Sequence, residues 1–293
     1  MGLRIKTNVA SLNSQRRLGQ STSNMAKDME RLSSGFRINR SADDAAGLAI
    51  SETMTGQIRS LDQAKRNAND GISMIQVAEG GMSEISNMLV RMRELATQAA
   101  SDTIGNKERS FTNKEYNQLV EEVNRVINTT EFNGLKLLQG EDGVGASELS
   151  FHIGAGDGSV ENTDTITLNV DDIQINAADN LGLEVGAQIG PEDPDGDFSR
   201  EDAASKLSTL DDALSYVAGN RAILGAKQSR LSSSINNLGV QIENLSSSRS
   251  RIRDVDFAAQ TAEFSQNRIL AQAGTSVLAQ AGSIPEMALG LIR

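Results

Sequence analysis

A heptad pattern of apolar residues near the end of the chain limits the folds that it can adopt. Steps of three and four residues from Leu207 to Ile252 meet fourteen positions, and eleven of them are apolar. This spacing is typical of a coiled-coil-like helix, here 46 residues long and about 70 Å in length at about 1.5 Å per residue. The predicted intrachain seam is formed by Leu207, Leu210, Leu214, Val217, Leu224, Leu231, Ile235, Leu238, Ile242, Leu245 and Ile252.

Two earlier segments repeat the seven-residue step, one from Leu18 to Leu32 and the other from Ile75 to Ala96. A shorter amphipathic helix is predicted from about Thr112 to Thr129. One seam helix alone buries too little apolar surface to offset its loss of conformational entropy, so these helices must pack together. The sequence therefore predicts a mainly α fold with long antiparallel helices in a coiled-coil-like bundle. Any apolar stripe left uncovered implies contact with other chains.

One local conflict lies inside the second of these segments. Asp70 and Gly71 form a turn dipeptide within a helical register that extends from Ile58 to Ala99. We give the periodicity precedence and predict one continuous helix. Farther along, Asn133 and Gly134 are predicted to form a turn after the shorter helix.

The acidity of the chain is concentrated in one central insert. The formal net charge is −11, from 39 acidic and 28 basic residues, and residues 141–199 hold fourteen acids and no Lys or Arg. Without that insert 28 basic and 25 acidic residues remain, a charge of +3. Segments starting at Leu149 and Thr165 alternate with the period of a strand, which predicts a small β-hairpin. The remainder of the insert is rich in Gly, Asp and Pro, so the insert is predicted to be an exposed excursion that faces solvent.

The composition excludes most catalytic and metal chemistry. The chain has no cysteine, so it has no disulfide framework, thiolate zinc site, iron–sulfur cluster or cysteine nucleophile. Its single histidine, His152, cannot form a metalloprotease motif that needs two. We therefore predict a protein that is not an enzyme, with no catalytic residue, no cofactor and no metal site.

Three patterns that could carry chemistry have a simpler structural interpretation. His152 lies in a predicted strand without a second histidine. Gly219, Gly225 and Lys227 are similar to a phosphate loop, but the spacing is wrong and the segment lies within a predicted helix. Alternating acids over 193–197 are similar to a calcium loop, yet they lack its glycine and its closing glutamate.

Nucleic acid is not the expected partner of the basic N-terminal segment. Residues 1–42 carry a charge of +6, but the whole chain is acidic and the segment has no interleaved aromatic residues. We expect these bases to face carboxylates across a protein interface, including Asp254, Asp256 and Glu263. No membrane span is predicted, because no apolar run reaches 18 residues, and the N-terminal segment lacks the apolar region of a secretory signal.

Several long motifs resemble those of bacterial flagellins. They are RLSSGFRINRSADDAAGLAIS from Arg31, RNANDGISMIQVAEGGMSEI from Arg66, LVRMRELATQAASDT from Leu89, TEFNGLKLL from Thr130, RAILGAKQSRL from Arg221, SRIRDVDFA from Ser250 and the closing LAQAGSIPEMALGLIR. They follow the family order and leave only about residues 141–199 without a counterpart. The chain resembles a short flagellin that lacks large variable outer domains.

The resemblance implies a structural subunit that self-assembles into the flagellar filament for motility. It implies a discontinuous inner domain formed by residues 1–42 with 254–293, in which the two chain ends pair as helices. Residues 43–253 would form an outer helical domain that includes the β-hairpin and acidic insert at 141–199. The terminal segments are Ala-, Ser- and Gln-rich and poor in aromatics, so alone they bury too little to remain folded.

Partners are implied by the same resemblance. These are further copies in a helical homopolymer, the filament cap, hook-associated proteins and an export chaperone on the C-terminal segment from about Ser250 to Arg293. Export would proceed without a cleaved signal peptide to the extracellular flagellum, and a periplasmic or sheathed filament stays open. Arg91, Leu95 and Glu115 match the family's subunit-packing positions, which also form a patch for a vertebrate innate flagellin receptor.

Two alternatives stay open at the level of sequence. A hook–filament junction protein shares the terminal-helix arrangement but acts as an adaptor present in few copies. An enzyme within the insert is the other alternative, although the insert is short and holds only one histidine.

Overall fold

A computed structural model describes residues 7–156, 164–170, 172–177, 180–183, 188–191 and 200–290, without the side chains of 141–142, 200–202 and 284–290. The chain is mainly helical, as predicted, with long helices that pack against each other. The helices are α1 (Val9–Ser34), α2 (Ala45–Ala99), α3 (Asn106–Thr129), α4 (Glu141–Val144), α5 (Arg200–Arg253) and α6 (Phe257–Gly290). The strands are β1 (Glu131–Phe132), β2 (Leu135–Lys136), β3 (Glu148–His152) and β4 (Thr165–Asn169).

The chain divides into two compact units. The terminal unit contains Met1–Ile58 and Glu243–Arg293, and the central unit contains Arg59–Ile242. The division falls inside α2 and α5, whereas the domain boundaries inferred from the sequence, at 42/43 and 253/254, fall where helices end. The assignment of inner and outer domains stays a prediction.

The central unit is built around the apolar stripes of α2, α3 and α5. On α2 the seven-residue series from Ile75 to Ala96 is 0–1% exposed, and the adjacent stripe from Ile85 to Ala99 is buried except at the partly covered Met88. Tyr116, Val120 and Val123 of α3 pack into the same core. Both apolar flanks of α2 are thus buried in this core, which is why this helix carries more apolar surface than a single seam.

The helix α2 continues without a break through Asp70 and Gly71, as predicted from the periodicity. A Cβ placed at Gly71 would lie 3.0 Å from the Phe151 ring, so the glycine gives room for an aromatic side chain of β3. The Asn67 side chain donates to the His152 carbonyl oxygen at 3.0 Å. The turn dipeptide therefore marks a packing site, where the hairpin lies against the helix.

The predicted hairpin is present as β3 and β4. The strands are antiparallel, with Glu148 paired to Asn169 and His152 paired to Thr165 at the two ends. Lys227 of α5 donates to the Thr167 carbonyl oxygen at 2.7 Å, so β4 is held against that helix.

The turn at Asn133 and Gly134 is also confirmed, and it closes a second hairpin formed by β1 and β2. Both residues have positive φ, 52° and 82°, which Asn and Gly adopt most readily. Each strand has only two residues, which is too short to produce an alternating pattern in the sequence.

Two expectations about the middle of the chain were wrong. The insert is not simply an exposed excursion, because its described apolar side chains belong to the core; these are Ile153, Ile166, Leu168, Ile173, Ile175, Ala177, Leu181, Leu183 and Ile189. The helix α3 begins at Asn106 and not near Thr112. Its first turns bury polar residues, including Arg109 and Asn113, which an apolar periodicity does not detect. No helix of the described residues is long and apolar enough to span a membrane.

Candidate functional site

The terminal unit is dominated by an antiparallel pair formed by α1 and α6. Contacts run from Asn8 with Ala281 to Asp28 with Gln260, so residue numbers rise along one helix as they fall along the other. Asn8 caps α1 by accepting from the Ser11 backbone N–H, and its side-chain amide donates to the Ala281 carbonyl oxygen at 2.7 Å. The other end of α1 stops at Gly35, whose φ of 75° allows its N–H to bond to the Arg31 carbonyl oxygen.

The covered positions of both helices follow a three-four spacing. On α1 they include Ser11, Ser14, Leu18, Ser21, Met25, Asp28 and Leu32, and on α6 they include Gln260, Phe264, Asn267, Ala271, Gly274, Leu278 and Ala281. Most are only half-buried, and many are small or polar. Among the described apolar residues of the terminal unit, only Ile38, Ile58 and Ala281 are fully buried. This pair therefore has very little core of its own.

Large apolar side chains remain exposed on the other faces of the pair. They are Val9, Leu12 and Met29 on α1 and Phe257, Ile269, Leu270 and Val277 on α6, with exposures of 48–65%. Apolar surface on this scale along two packed helices is typical of an interaction site rather than of a monomer surface. We name this set the terminal apolar surface.

The connection between α1 and α2 contacts the connection between α5 and α6. Phe36 and Asp254 form an antiparallel bridge, and the Val255 N–H donates to the Gly35 carbonyl oxygen at 3.0 Å. The Arg253 guanidinium lies 4.7 Å from the centre of the Phe36 ring and also bonds to Glu52 at 2.9 Å. Cation–π attraction and an ion pair thus hold these two connections together at the base of the pair, where α1 ends and α6 begins.

The basic N-terminal segment forms contacts of several kinds. Arg40 pairs with Glu30 at 2.9 Å, within the segment itself. Arg37 donates to the Ile252 carbonyl oxygen, at the end of α5. The Asp43 carboxylate accepts from two backbone N–H groups, chiefly that of Arg40 and then that of Asn39, and these bonds lower its pKa. The ion pairs expected with Asp254, Asp256 and Glu263 are not among the described ones.

The predicted interaction residues of α2 and α3 occupy two different environments. Arg91 donates to Glu115 at 2.7 and 2.9 Å and to Glu94 at 2.9 Å. The bonds to Glu115 and then to Glu94 raise the pKa of Arg91. Leu95 differs, since it is 1% exposed and lies in the core. It can support this patch from below, but it does not lie on the surface, so only Arg91 and Glu115 can contact a partner directly.

The predicted seam of α5 resolves into two classes. The residues Leu210, Val217, Leu224, Leu231 and Leu238, each seven apart, are 0–5% exposed. The other members are half-buried: Leu207, Leu214, Ile235, Ile242, Leu245 and Ile252. The second class also contains the polar interruptions of the pattern, such as Arg221, which lies 3.6 Å from Glu79. Up to Leu238, one heptad position faces the core and the other forms its flank; Leu245 and Ile252 continue the first series into the terminal unit, where they are only half-buried.

The remaining sequence patterns do not form a site. Gly219 and Gly225 lie within α5, and Lys227 binds the Thr167 carbonyl oxygen rather than facing a loop. His152 is an exposed strand residue. The acidic run at 193–197 lies outside the described residues. Within the part of the chain that the structure describes, no group of three His, Cys, Asp or Glu could hold a metal ion.

Sequence reasoning missed the polar layer inside the helix pair. Asp28 is 5% exposed and accepts from the side chains of Gln260 and Asn267, each at 2.7 Å. Gln260 and Asn267 are seven residues apart, and Asp28 falls between Met25 and Leu32 in the heptad series. A search for polar residues at heptad positions, rather than for apolar ones, would have found this layer.

Comparison with known proteins gives matches along nearly the whole chain. The family model of the bacterial flagellin N-terminal helical region matches residues 5–142, and that of the C-terminal helical region matches residues 207–292. The chain is 42% identical to a flagellin of Bacillus subtilis, over 99% of its own length and all of that protein. It is 40% identical to flagellin FlaB2 of Treponema pallidum, with 99% of both proteins covered.

A solved structure shares the fold. It is described as a flagellar hook-associated protein of Vibrio parahaemolyticus, and it aligns with a TM-score of 0.61 over 72% of this chain and all of its own. The sequence identity is 13%, so this likeness concerns the fold alone.

Proposed function

The chain belongs to the bacterial flagellins, the structural subunits that self-assemble into the flagellar filament, and on that premise we propose that its copies pack through α1 and α6. The filament is extracellular and serves motility. The observation that supports the proposal is the terminal apolar surface, whose members are about half exposed or more in the single chain. A surface of this kind becomes covered when identical subunits stack along a helical lattice.

The proposal includes a division of labour between the two parts of the chain. Residues 1–42 with 254–293 form the inner domain, which lacks a core of its own and is completed by neighbouring copies. Residues 43–253, with the insert at 141–199, form the outer domain. The support for this division is the contrast in burial, because the fully buried apolar residues lie almost entirely between Ile58 and Leu238.

Partners other than the chain itself follow from the exposed character of the same helices. The segment from Ser250 to Arg293, whose last three residues lie outside the described ones, presents Phe257, Ile269 and Val277 to solvent. We assign to it the binding of an export chaperone, which would cover these side chains before assembly. The filament cap and hook-associated proteins would contact the terminal helices in the filament. The absence of cysteine suits export of an unfolded chain, because no disulfide can lock it.

A second contact patch is assigned to Arg91 and Glu115, with Leu95 beneath it. The ion pair is about half exposed on both sides and fixed by hydrogen bonds, so it presents a preset charged surface. Its role is subunit packing, and the vertebrate innate flagellin receptor is the second partner. Arg91→Ala should reduce receptor activation in a reporter cell line, while Arg125→Ala, which breaks a similar exposed pair, should not.

Seeded polymerisation tests the main proposal. Ile269→Asn and Val277→Asn remove apolar contacts worth about 1.5–3 kcal/mol each when buried, so the critical concentration should rise by about tenfold or more. Val240→Asn is the matched control, since Val240 is 57% exposed on α5 outside the terminal pair. Circular dichroism of the monomers checks that all three fold alike. Normal elongation of both α6 variants, or an equal defect in the control, would contradict the assignment.

A further inference from the structure

The α1–α6 pair contains a buried carboxylate without a cationic partner. The two oxygens of Asp28 accept from two neutral amides, Oδ1 from Gln260 Nε2 and Oδ2 from Asn267 Nδ2. Among the described residues, no Lys or Arg forms an ion pair with it. Lys27 and Arg31 line the polar cleft beside it, which has a volume of about 340 Å³, but neither reaches the carboxylate.

A buried charge of this kind is not explained by stability. Removing a carboxylate from water is costly, and apolar residues of similar volume often stabilise such sites as well or better. The best-attested role for a single buried polar group in a coiled coil is to fix the register of the helices. Whether the pair needs such a device depends on how well its other layers distinguish one register from the next.

Apart from the bridge between Phe36 and Asp254 at the base of the pair, which a slide would also break, the layers of the pair distinguish registers poorly. The seam is rich in small residues, with Ser11, Ser14 and Ser21 on one helix and Ala271, Gly274 and Ala281 on the other. The bond from Asn8 to the Ala281 carbonyl oxygen does not discriminate either, because every residue offers a backbone carbonyl.

A shift of α6 along α1 by one heptad shows how the polar layer distinguishes one register from the next. In the observed register Leu18 lies against Gly274, with 3.8 Å between the Leu18 Cβ and a Cβ placed on the glycine. A slide that sets Leu18 against Ala281 exchanges one small neighbour for another. The same slide replaces Asn267 beside Asp28 by Gly274, which has no side-chain donor. One buried carboxylate oxygen would then lack a partner, which disfavours the slid register by at least about tenfold.

We propose that Asp28 fixes the heptad register of α1 against α6, with Gln260 and Asn267 as the donors that recognise it. The terminal apolar surface is distributed over both helices, so its shape depends on their register. In a shifted pair, the exposed Val9 and Leu12 would lie beside different exposed residues of α6. The surface offered to other subunits would then be defective. The register is a property of the single chain, so the proposal goes beyond the proposed assembly role. It rests on that role only because the test is made on assembled filaments.

Disulfide trapping can report the register, because the chain has no cysteine of its own. Leu18→Cys with Gly274→Cys places two Cβ atoms about 3.8 Å apart, the usual spacing in a disulfide, and traps the observed register. Leu18→Cys with Ala281→Cys traps the slid register. Both pairs are made in the full chain, assembled on seeds and oxidised, and the intrachain disulfide is quantified after dissociation. With Asp28 present, the first pair should form at least about tenfold more disulfide than the second.

Variants of the polar layer then test the assignment. Asp28→Leu should lower the ratio of the two disulfides by about tenfold, whereas Asp28→Asn, which keeps a polar partner for both amides, should retain most of it. Asp28→Leu removes the acceptor of the half-buried Asn267 amide and leaves the Gln260 amide only its longer bond to Glu263. The all-apolar variant Asp28→Leu/Gln260→Leu/Asn267→Leu is therefore made as well. That variant should pair with full helicity and lose the preference.

Two results would overturn the proposal. One is an unchanged ratio in both Leu-containing variants. The other is loss of both disulfides in the all-apolar variant at normal helicity, since Asp28 would then hold the helices together rather than choose their register. A parent pair that traps the observed register but fails to extend seeds would instead contradict the assembly proposal and leave the register intact.

Discussion

The two tyrosines of the chain have opposite surroundings, although both are well covered. Tyr116 is fully buried, and its hydroxyl has no hydrogen-bond partner. Burial raises its pKa to about 12, because the phenolate would have to exist in the apolar core. The Tyr216 hydroxyl, in contrast, donates to the Gln174 carbonyl oxygen and accepts from the Asn180 side chain, both at 3.0 Å. The same substitution should therefore have opposite effects at the two sites.

Tyr116→Phe should leave the free energy of unfolding at pH 7 unchanged or raise it by up to about 1 kcal/mol, because no partner loses a bond. Tyr216→Phe should lower it by about 1–3 kcal/mol, since two hydrogen bonds are lost and the Gln174 carbonyl and the Asn180 amide keep only their 3.4 Å bond to each other. Urea unfolding followed by circular dichroism measures both. A larger loss at Tyr116 than at Tyr216 would contradict this account.

The pH dependence adds a second test at Tyr116. Its pKa is raised in the folded state, so its stabilising contribution is complete below the unfolded value near 10 and is lost as the pH rises towards 12. The loss amounts to about 2–3 kcal/mol, at about 1.4 kcal/mol per pH unit. Between pH 9 and pH 12 the parent should therefore lose about 2–3 kcal/mol more free energy of unfolding than Tyr116→Phe loses. An equal loss of unfolding free energy between pH 9 and pH 12 in both proteins would refute the burial of this hydroxyl.

Single residues also show where sequence reasoning stopped. Arg109 is a basic residue that is only 9% exposed, and it donates to the Ala99 and Ser101 carbonyl oxygens. Its guanidinium thus satisfies acceptors at and beyond the end of α2, where a helix leaves carbonyls without partners. A basic residue is interpreted as exposed until its acceptors are known. For this reason the apolar periodicity predicts a start of α3 near Thr112, too late by about two turns.

At the scale of elements, the heptad spacing predicted the long helices well because burial follows periodicity directly. The series on α2 and α5 are buried where the sequence indicated, and β3 and β4 have their predicted pairing. The spacing could not indicate which other element packs against each apolar flank of a helix. The half-buried members of the α5 seam and the buried apolar residues of the insert both depend on contacts distant in sequence.

Adjacent glycines on α2 illustrate the same dependence and give a paired prediction. A Cβ at Gly80 would meet nothing within 4 Å, so Gly80→Ala should stabilise the chain by about 0.5–1 kcal/mol through helix propensity. A Cβ at Gly81 would lie 2.6 Å from the Thr130 Oγ1 and 3.1 Å from Leu138. Gly81→Ala should therefore destabilise by about 1–3 kcal/mol, because Thr130 must give up its bond to the Val126 carbonyl oxygen. Thermal unfolding of both variants checks this, and stabilisation by both would be inconsistent with the packing at Gly81.

At the scale of the whole molecule, the resemblance of the motifs predicted the family, and physical reasoning explains why the ends differ from the middle. The apolar core extends from Ala68 to Leu231, with Ile235 packed against it, and all of it lies in the central unit. The terminal unit instead exposes apolar side chains on α1 and α6. A search for apolar residues alone could not reveal the register of this pair, because the residue that we infer to fix it is polar.

The last prediction follows from this distribution of core residues. A fragment of residues 59–242 keeps the whole apolar cluster and the hairpins, so it should unfold cooperatively within a few degrees of the full chain. It lacks α1 and α6, so it should not extend filament seeds at any concentration at which the full chain does. Calorimetry and a seeded elongation assay measure the two properties separately. An unfolded fragment would show that the core depends on the terminal segments, and an elongating fragment would show that the subunit contacts lie elsewhere than on the terminal helices.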